Sequence, residues 1–360
     1  MKVVIVGAGV IGALIGYRLA QSGAEVTILE AGRPAGAASG ASFGWINASF
    51  YADADHFRLR HAAIEAHRRL QSELGSDAAT WPGCLCWEEK GAAFDTRHDA
   101  LRDLGYDVRE VDAAEFRRLE PEVTPPDRAL RFGAEGAVDL PTLTRDALQA
   151  GHALGLRLVC GVRVTGVRAD GDRISGVETT AGRIDADRVI VASGTGTQAL
   201  LETAGVPLPM LDRPGLILRS QPLPQLVSHV LVTPDGEVRQ LPDGCFLSPT
   251  AAAHQQVDTA SDVTDPRALA DAAAARLSQL LNRAVHWEQV TLAQRPVPQG
   301  GLPAIGPCGS EGLYVATLHS GATLAPLVAE LVAAEVADPG GLGNDRARML
   351  APYRPDRFKG

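Results

Sequence analysis

Short unbroken apolar runs, segments of helical period and short alternating stretches succeed one another along the chain, and their order already suggests its organisation. Val3–Val6, Glu25–Leu29, Val189–Ala192 and Leu313–Ala316 read as strands of a buried sheet. Helical period runs over Val10–Ser22, His56–Leu74, Ala113–Leu119, Thr142–Leu154, Pro266–Leu281 and Thr323–Ala337. The region from Trp81 to Glu122 mixes short strands with its one helix. Arg157–Cys160 and Val162–Arg168 are strand-like. Turn signals at Asp170-Gly171 and Ala181-Gly182 separate Ile174–Thr180 from its neighbours and predict a three-stranded antiparallel excursion. Between Leu200 and Arg295 prolines and short strands dominate, at Gly215–Arg219, Val227–Val232, Glu237–Leu241 and Cys245–Pro249. That texture suggests an antiparallel sheet domain inserted into an α/β one, and the end, Pro352–Phe358, reads as a surface arm.

The first thirty residues carry the sharpest chemistry. Gly7, Gly9 and Gly12 stand in the spacing GxGxxG between strand and helix, Gly23 closes the helix, and Glu30 ends the second strand. Gly7 permits the sharp turn, Gly9 keeps no Cβ between backbone and a pyrophosphate, and Gly12 lets helix and strand pack closely. The helix N-terminus then faces the phosphate charge. Glu30 accepts from ribose hydroxyls and repels a 2′-phosphate, so NAD or FAD is favoured over NADP. The segment Ala31–Ser49 is rich in Gly, Ala and Ser, so Ser39, Gly40, Ser42 and Gly44 suit a second phosphate and Arg33 the adenosine. Ser193 and Gly194 form a second glycine-rich strand end beside the cofactor. His56, His61 and His67 read as solvated residues of a charged helix.

Composition narrows the classes. The 360 residues suffice for two domains, 45% are hydrophobic and 21% charged, and a net charge of −9 with no basic tract argues against a nucleic-acid partner. The first strand starts at Lys2, which leaves no room for a secretory signal, and no apolar run has the length of a membrane helix. A cytoplasmic protein is expected. Cys84, Cys86, Cys160, Cys245 and Cys308 show no metal spacing and read as free thiols.

These blocks together resemble the D-amino acid oxidase superfamily of FAD proteins, in the branch of glycine oxidase, sarcosine oxidase and the D-amino acid dehydrogenases of the small-subunit type. The resemblance rests on VVIVGAGVIG with VTILEAG, SGASFGWI, GAVDLPTLTRDALQAG, GRIDADRVIVASG, and RPVPQGGLPAIG with GLYVATLHSGATLAPLVAELV. It implies a Rossmann-type FAD-binding domain from residues 1–45, 136–205 and 295–360, and an antiparallel-sheet substrate domain from 46–135 and 206–294. Gly7, Gly9, Gly12 and Glu30 would hold the ADP half, Ser39, Gly40 and Gly44 the diphosphate and ribityl side, and Val164 the adenine neighbourhood. Gly321, Ala322 and Thr323 would present a helix N-terminus to the flavin. Arg295 would pair with the substrate carboxylate, and Arg239 and His319 are further candidates.

The implied reaction is oxidation of the C–N bond of an amino acid or an N-substituted or cyclic amino acid by hydride transfer to flavin N5, with the imine hydrolysing afterwards. Oxygen, a quinone or a protein would reoxidise the flavin. The same fold also admits 2-hydroxy acid oxidation with His319 as base, or a flavoprotein subunit active only in a hetero-oligomer; homo-oligomers are equally open. Gly300 stands where relatives often carry an acid, and the strand Glu237–Leu241 lacks the tyrosine of glycine and D-amino acid oxidases. No cysteine near Arg295 and no histidine in Ala38–Gly44 offers a covalent flavin link, so non-covalent FAD is expected, with no metal.

Overall fold

The computed structural model describes residues 1–251, 263–338 and 343–359. Its first sheet has six strands in the spatial order Ala304–Pro307, Leu313–Thr317, Arg188–Val191, Lys2–Val6, Glu25–Glu30 and Arg157–Cys160. All neighbours are parallel except the pair Ala304–Pro307 and Leu313–Thr317. The apolar runs lack alternation because this sheet is covered on both faces. Val3 and Ile5 enter the core under the helices, while Val4 and Val6 pack with Ile174 and Val177 of the antiparallel excursion. That excursion forms as expected, from Val164–Asp170, Arg173–Thr179 and Gly182–Asp185. On the helical face lie Val10–Gln21, Leu140–Ala153 and Gly321–Ala337, with Ala54–Leu74 outside the last.

A second sheet has eight strands in the order Trp287–Gln294, Pro214–Ser220, Phe246–Pro249, Gly236–Gln240, Val230–Thr233, Cys84–Cys86, Arg128–Phe132 and Val108–Asp112. It is antiparallel except where Val230–Thr233 meets Cys84–Cys86. One face packs Leu85, Leu218, Leu231, Val238 and Phe246 under the helix Pro266–Leu280. The other face places Cys84, Cys86, Leu130, Val230 and Val232 in the same core as Ile5, Ile28 and Trp45, so it looks toward the first sheet.

Several elements depart from expectation. A helix, Ala92–Asp103, lies within the strand-rich region and buries only Phe94 and Leu101, too few for a visible period. Trp287–Gln294 is an additional edge strand with a ragged burial pattern. The end of the chain is not a free arm: Tyr353 is fully buried and the Arg354 guanidinium makes two bonds to the Glu335 carboxylate, at 2.8 and 2.6 Å. Among the described residues no helix is long and apolar enough to cross a membrane, and no group of three His, Cys, Asp or Glu could hold a metal.

Candidate active site

The glycines of the first turn form a hollow. Gly7 has φ +104°, and a Cβ there would lie 2.6 Å from the Ala192 carbonyl and against Ser193, which fixes the two glycine-rich strand ends side by side. A Cβ on Gly12 would collide with the Gly7 carbonyl, whereas one on Gly9 would meet only Ser39 Oγ, at 3.2 Å. Gly9 is therefore the least enclosed of the three, bounded only by the Ser39 hydroxyl. Val10 N–H donates to Ser39 Oγ at 3.1 Å. The Glu30 carboxylate accepts from Ala8 N–H at 2.9 Å and Gly32 N–H at 2.7 Å, tying the turn to the loop that follows. Each oxygen keeps acceptor capacity for a ribose hydroxyl.

The other expected cofactor residues border this hollow or the loop beside it. Arg33 is exposed and its side chain covers Gly36; Gly40 turns tightly over Ala35. Ser42 Oγ accepts from Gly44 N–H at 3.1 Å, and Gly44, at φ +73°, presses on the Val138 carbonyl. Val164 is half-buried at the start of the antiparallel excursion. Gly194, at φ +58°, faces Pro296 across a gap of 4.0 Å from its notional Cβ. The closing helix begins at Gly321, whose notional Cβ would lie 3.7 Å from Val10 and 4.0 Å from Ile11. Two helix N-termini thus converge on one cleft. Thr323 Oγ1 accepts from Asn47 N–H at 3.1 Å and donates to the Trp45 carbonyl at 3.3 Å, clasping that helix to the loop after Gly44.

The three residues expected to meet the substrate differ sharply. Val238 pairs with Leu231 and faces the helix-covered side, so Glu237 and Arg239 point the other way, toward the cleft. Arg239 is 8% exposed, with its Nη2 beside Gly44 and its guanidinium 5.8 Å from the Phe43 ring centroid. Among the described residues it has no hydrogen bond and no ion pair within bonding distance, and its Nε is buried without a partner. Burial lowers its pKa to about 10, against the pull of Asp139, so it stays cationic at neutral pH. Arg295, by contrast, donates Nε to the Arg213 carbonyl at 3.3 Å and Nη2 to the Pro214 carbonyl at 3.0 Å. His319 is exposed, its Nδ1 3.3 Å from Ser320 Oγ.

Two histidines read as solvated are in fact buried. His56 accepts at Nδ1 from Ala52 N–H at 3.2 Å, and His67 is 1% exposed with Nε2 2.8 Å from the Ala322 carbonyl. Burial lowers both pKa values to about 4. Only His61 is exposed, stacked on Phe57. Arg58, His61, Glu65 and Arg68 set the solvent face of Ala54–Leu74, and His56 and His67 lie on the other. A second buried group, Glu135, accepts from Trp45 Nε1 at 2.9 Å, Tyr106 hydroxyl at 2.9 Å and the N–H groups of Ala48 and Ser49, and burial raises its pKa. Arg60, also buried, donates to the Asn47 carbonyl. Together they shape the loop that follows Gly44.

An FAD fits this arrangement on two observations: a backbone without a Cβ at Gly9 beside two neighbouring helix N-termini, and, at the far side of Gly44, a buried cation that makes no hydrogen bond among the described residues. The DAO family model, described as FAD dependent oxidoreductase, matches residues 2–335. Glycine oxidase of Pseudomonas aeruginosa is 28% identical over 372 residues, covering 98% of both chains. The crystal structure of glycine oxidase from Geobacillus kaustophilus superposes with a TM-score of 0.85 at 24% identity, over 100% of both chains. That of iminodiacetate oxidase from Chelativorans sp. gives 0.82 at 23% identity, over 98% of both.

Proposed function

Since the chain belongs to the DAO family of FAD dependent oxidoreductases, we propose that it oxidises the C–N bond of an amino acid or an N-substituted or cyclic amino acid, whose carboxylate is taken by Arg239. The observation that carries this reading is the buried Arg239 guanidinium, which makes no hydrogen bond or ion pair among the described residues. A buried cation with no partner is costly, and a carboxylate lying across its N–H fork removes that cost while orienting the substrate. Arg295, bonded to two carbonyls at the end of Trp287–Gln294, would instead secure the strand end and the loop after it. Residues 1–45, 136–205 and 295–360 would hold the cofactor and 46–135 and 206–294 the substrate.

FAD, bound non-covalently by Gly7, Gly9, Gly12, Glu30, Ser39 and Gly44, would supply the two-electron acceptor for the Cα hydride. The amine binds neutral, so its nitrogen lone pair can form the C=N bond as that hydride leaves. Arg239 holds the carboxylate so that Cα is presented in one orientation, which is where the acceleration arises. The first N–H groups of Gly321–Ala337 stabilise negative charge gathering across the cleft. No protein base is needed in this step, and His319, exposed beside Ser320, would line the entrance. The imine then leaves and hydrolyses in water to a carbonyl compound and an amine.

The test is anaerobic mixing of the purified protein with D-amino acids, N-methyl and cyclic amino acids and 2-hydroxy acids, following flavin absorbance. Bleaching by one amine class supports the reading, and readmitted air then shows whether oxygen is the acceptor. Bleaching by hydroxy acids alone, or no flavin in the protein, overturns it.

A further inference from the structure

The closing helix Gly321–Ala337 contains a proline, Pro326, in its second turn. Proline has no N–H, so the carbonyl four residues earlier, that of Ala322, loses its helical donor. A buried carbonyl left so costs about 1–3 kcal/mol. Here the vacancy is filled from outside the helix: His67 Nε2 lies 2.8 Å from the Ala322 oxygen. Because a carbonyl only accepts, Nε2 must carry the proton, which assigns the tautomer. Burial keeps the ring neutral, and the Trp81 ring stands edge-on to it at 6.5 Å.

The bond falls at a sensitive place. Ala322 is in the first turn of the helix whose start abuts Val10 and Ile11, the start of the phosphate-facing helix. Ser320 before it is held at φ +62°, a left-handed conformation that a serine adopts only under constraint. Thr323 ties one side of the turn to Trp45 and Asn47; His67 ties another to Ala54–Leu74.

We propose that His67 is a positioning residue: its Nε2–H replaces the N–H that Pro326 cannot give, and so fixes the first turn of the closing helix toward the cofactor. An ordinary helix would satisfy Ala322 along its own axis and leave the turn free to shift sideways. The lateral bond gives up that axial partner and gains a fixed direction relative to Ala54–Leu74. The inference rests on the reading of the cleft as a flavin site, and its hydrogen-bond part stands independently of that reading.

A double-mutant cycle tests it: His67→Phe, Pro326→Ala and both together. The readouts are the Kd of apoprotein for FAD, the affinity of the flavoprotein for sulfite, and thermal stability. Sulfite affinity, read from loss of flavin absorbance, follows the positive field around the flavin and is insensitive to overall stability. His67→Phe is expected to weaken sulfite and FAD binding about tenfold, the scale seen when an outer hydrogen-bond partner of a bound group is removed. In the Pro326→Ala background the restored N–H serves Ala322, and the same change then costs less than about threefold. If His67→Phe acts equally in both backgrounds, or lowers the melting temperature with both affinities unchanged, the proposal is wrong. Should His67→Phe fail to fold alone, rescue of folding by Pro326→Ala supports the bond and continued misfolding refutes it. A wild-type protein that binds no FAD would overturn the proposed function, and the stability arm would still decide on the hydrogen bond.

Discussion

Replacing Arg239 by methionine should make the protein more stable and worse at binding its substrate. The side chain is 8% exposed and its guanidinium meets no acceptor among the described residues. Replacing buried charge by a packed apolar side chain of similar length typically gains about 1–3 kcal/mol. With an unfolding entropy of about 2.1 cal/mol/K per residue over 360 residues, each kcal/mol moves the midpoint by roughly 1.3 °C, so the apoprotein should melt about 1–4 °C higher. Truncating one partner of a buried charge pair costs binding roughly 2–5 kcal/mol, which is a loss of about 30- to 5,000-fold in carboxylate affinity. The assay is titration of the flavoprotein with benzoate, a carboxylate that cannot react, followed by the shift in flavin absorbance, alongside melting of the apoprotein. Opposite signs in the two experiments mark a residue kept for binding at a cost in stability. A lower melting temperature with unchanged benzoate affinity would show that Arg239 is structural and that the substrate carboxylate binds elsewhere.

Other outcomes follow from the same geometry. In Gly9→Ala the methyl group would lie 3.2 Å from Ser39 Oγ, so that hydroxyl must give by a few tenths of an ångström and the apoprotein should melt slightly below the parent, while FAD binding weakens tenfold or more; equal FAD affinity would place the cofactor away from this turn. The folded-state pKa values of His56 and His67, about 4, lie below the 6.5 of the free side chain. The unfolded chain therefore takes up protons that the folded chain refuses, and stability present above pH 6.5 is lost as pH falls toward 4. Replacing both by glutamine should flatten the melting temperature over that window, and an unchanged slope would assign the acid sensitivity to other groups. Tyr353→Ala should cost about 3–5 kcal/mol because the ring is fully buried, while Tyr353→Phe, which removes a hydroxyl that has no partner among the described residues, should be neutral or stabilising. Denaturant melts of the two variants would separate a docked chain end from a loose one.

What the sequence reveals follows how local the determining physics is. Val3–Val6, Gly7, Gly9, Gly12 and Glu30 are legible because turn, helix and strand are neighbours in the chain and each residue acts on its own backbone. Arg157–Cys160 and Ala113–Leu119 lie within their expected bounds for the same reason. The role of His67 is illegible because its partner is 255 residues away, on a helix whose proline creates the need. The sequence does show Arg239 as one arginine on an alternating strand, but an absence of partners belongs to the packed state. Ala92–Asp103 escapes detection because two buried side chains do not make a periodic stripe. Tyr353 escapes because a Pro- and Arg-rich end resembles a solvated one until Glu335 is seen beneath it.

The sheet that carries the glycine hollow is sewn from the beginning, middle and end of the chain. During synthesis Lys2–Val6 gains its neighbour Glu25–Glu30 almost at once, yet its other neighbour, Arg188–Val191, emerges much later. At about 5–20 residues per second the valine-rich edge waits roughly ten to forty seconds without its second partner. An unpaired apolar edge is a template for wrong strands, so newly made chains of this protein should lean on chaperones at the ribosome. The strands Ala304–Pro307 and Leu313–Thr317 and the helix bearing Pro326 emerge later still. A chain cut short before them would hold the dinucleotide turn without the closing helix that abuts it.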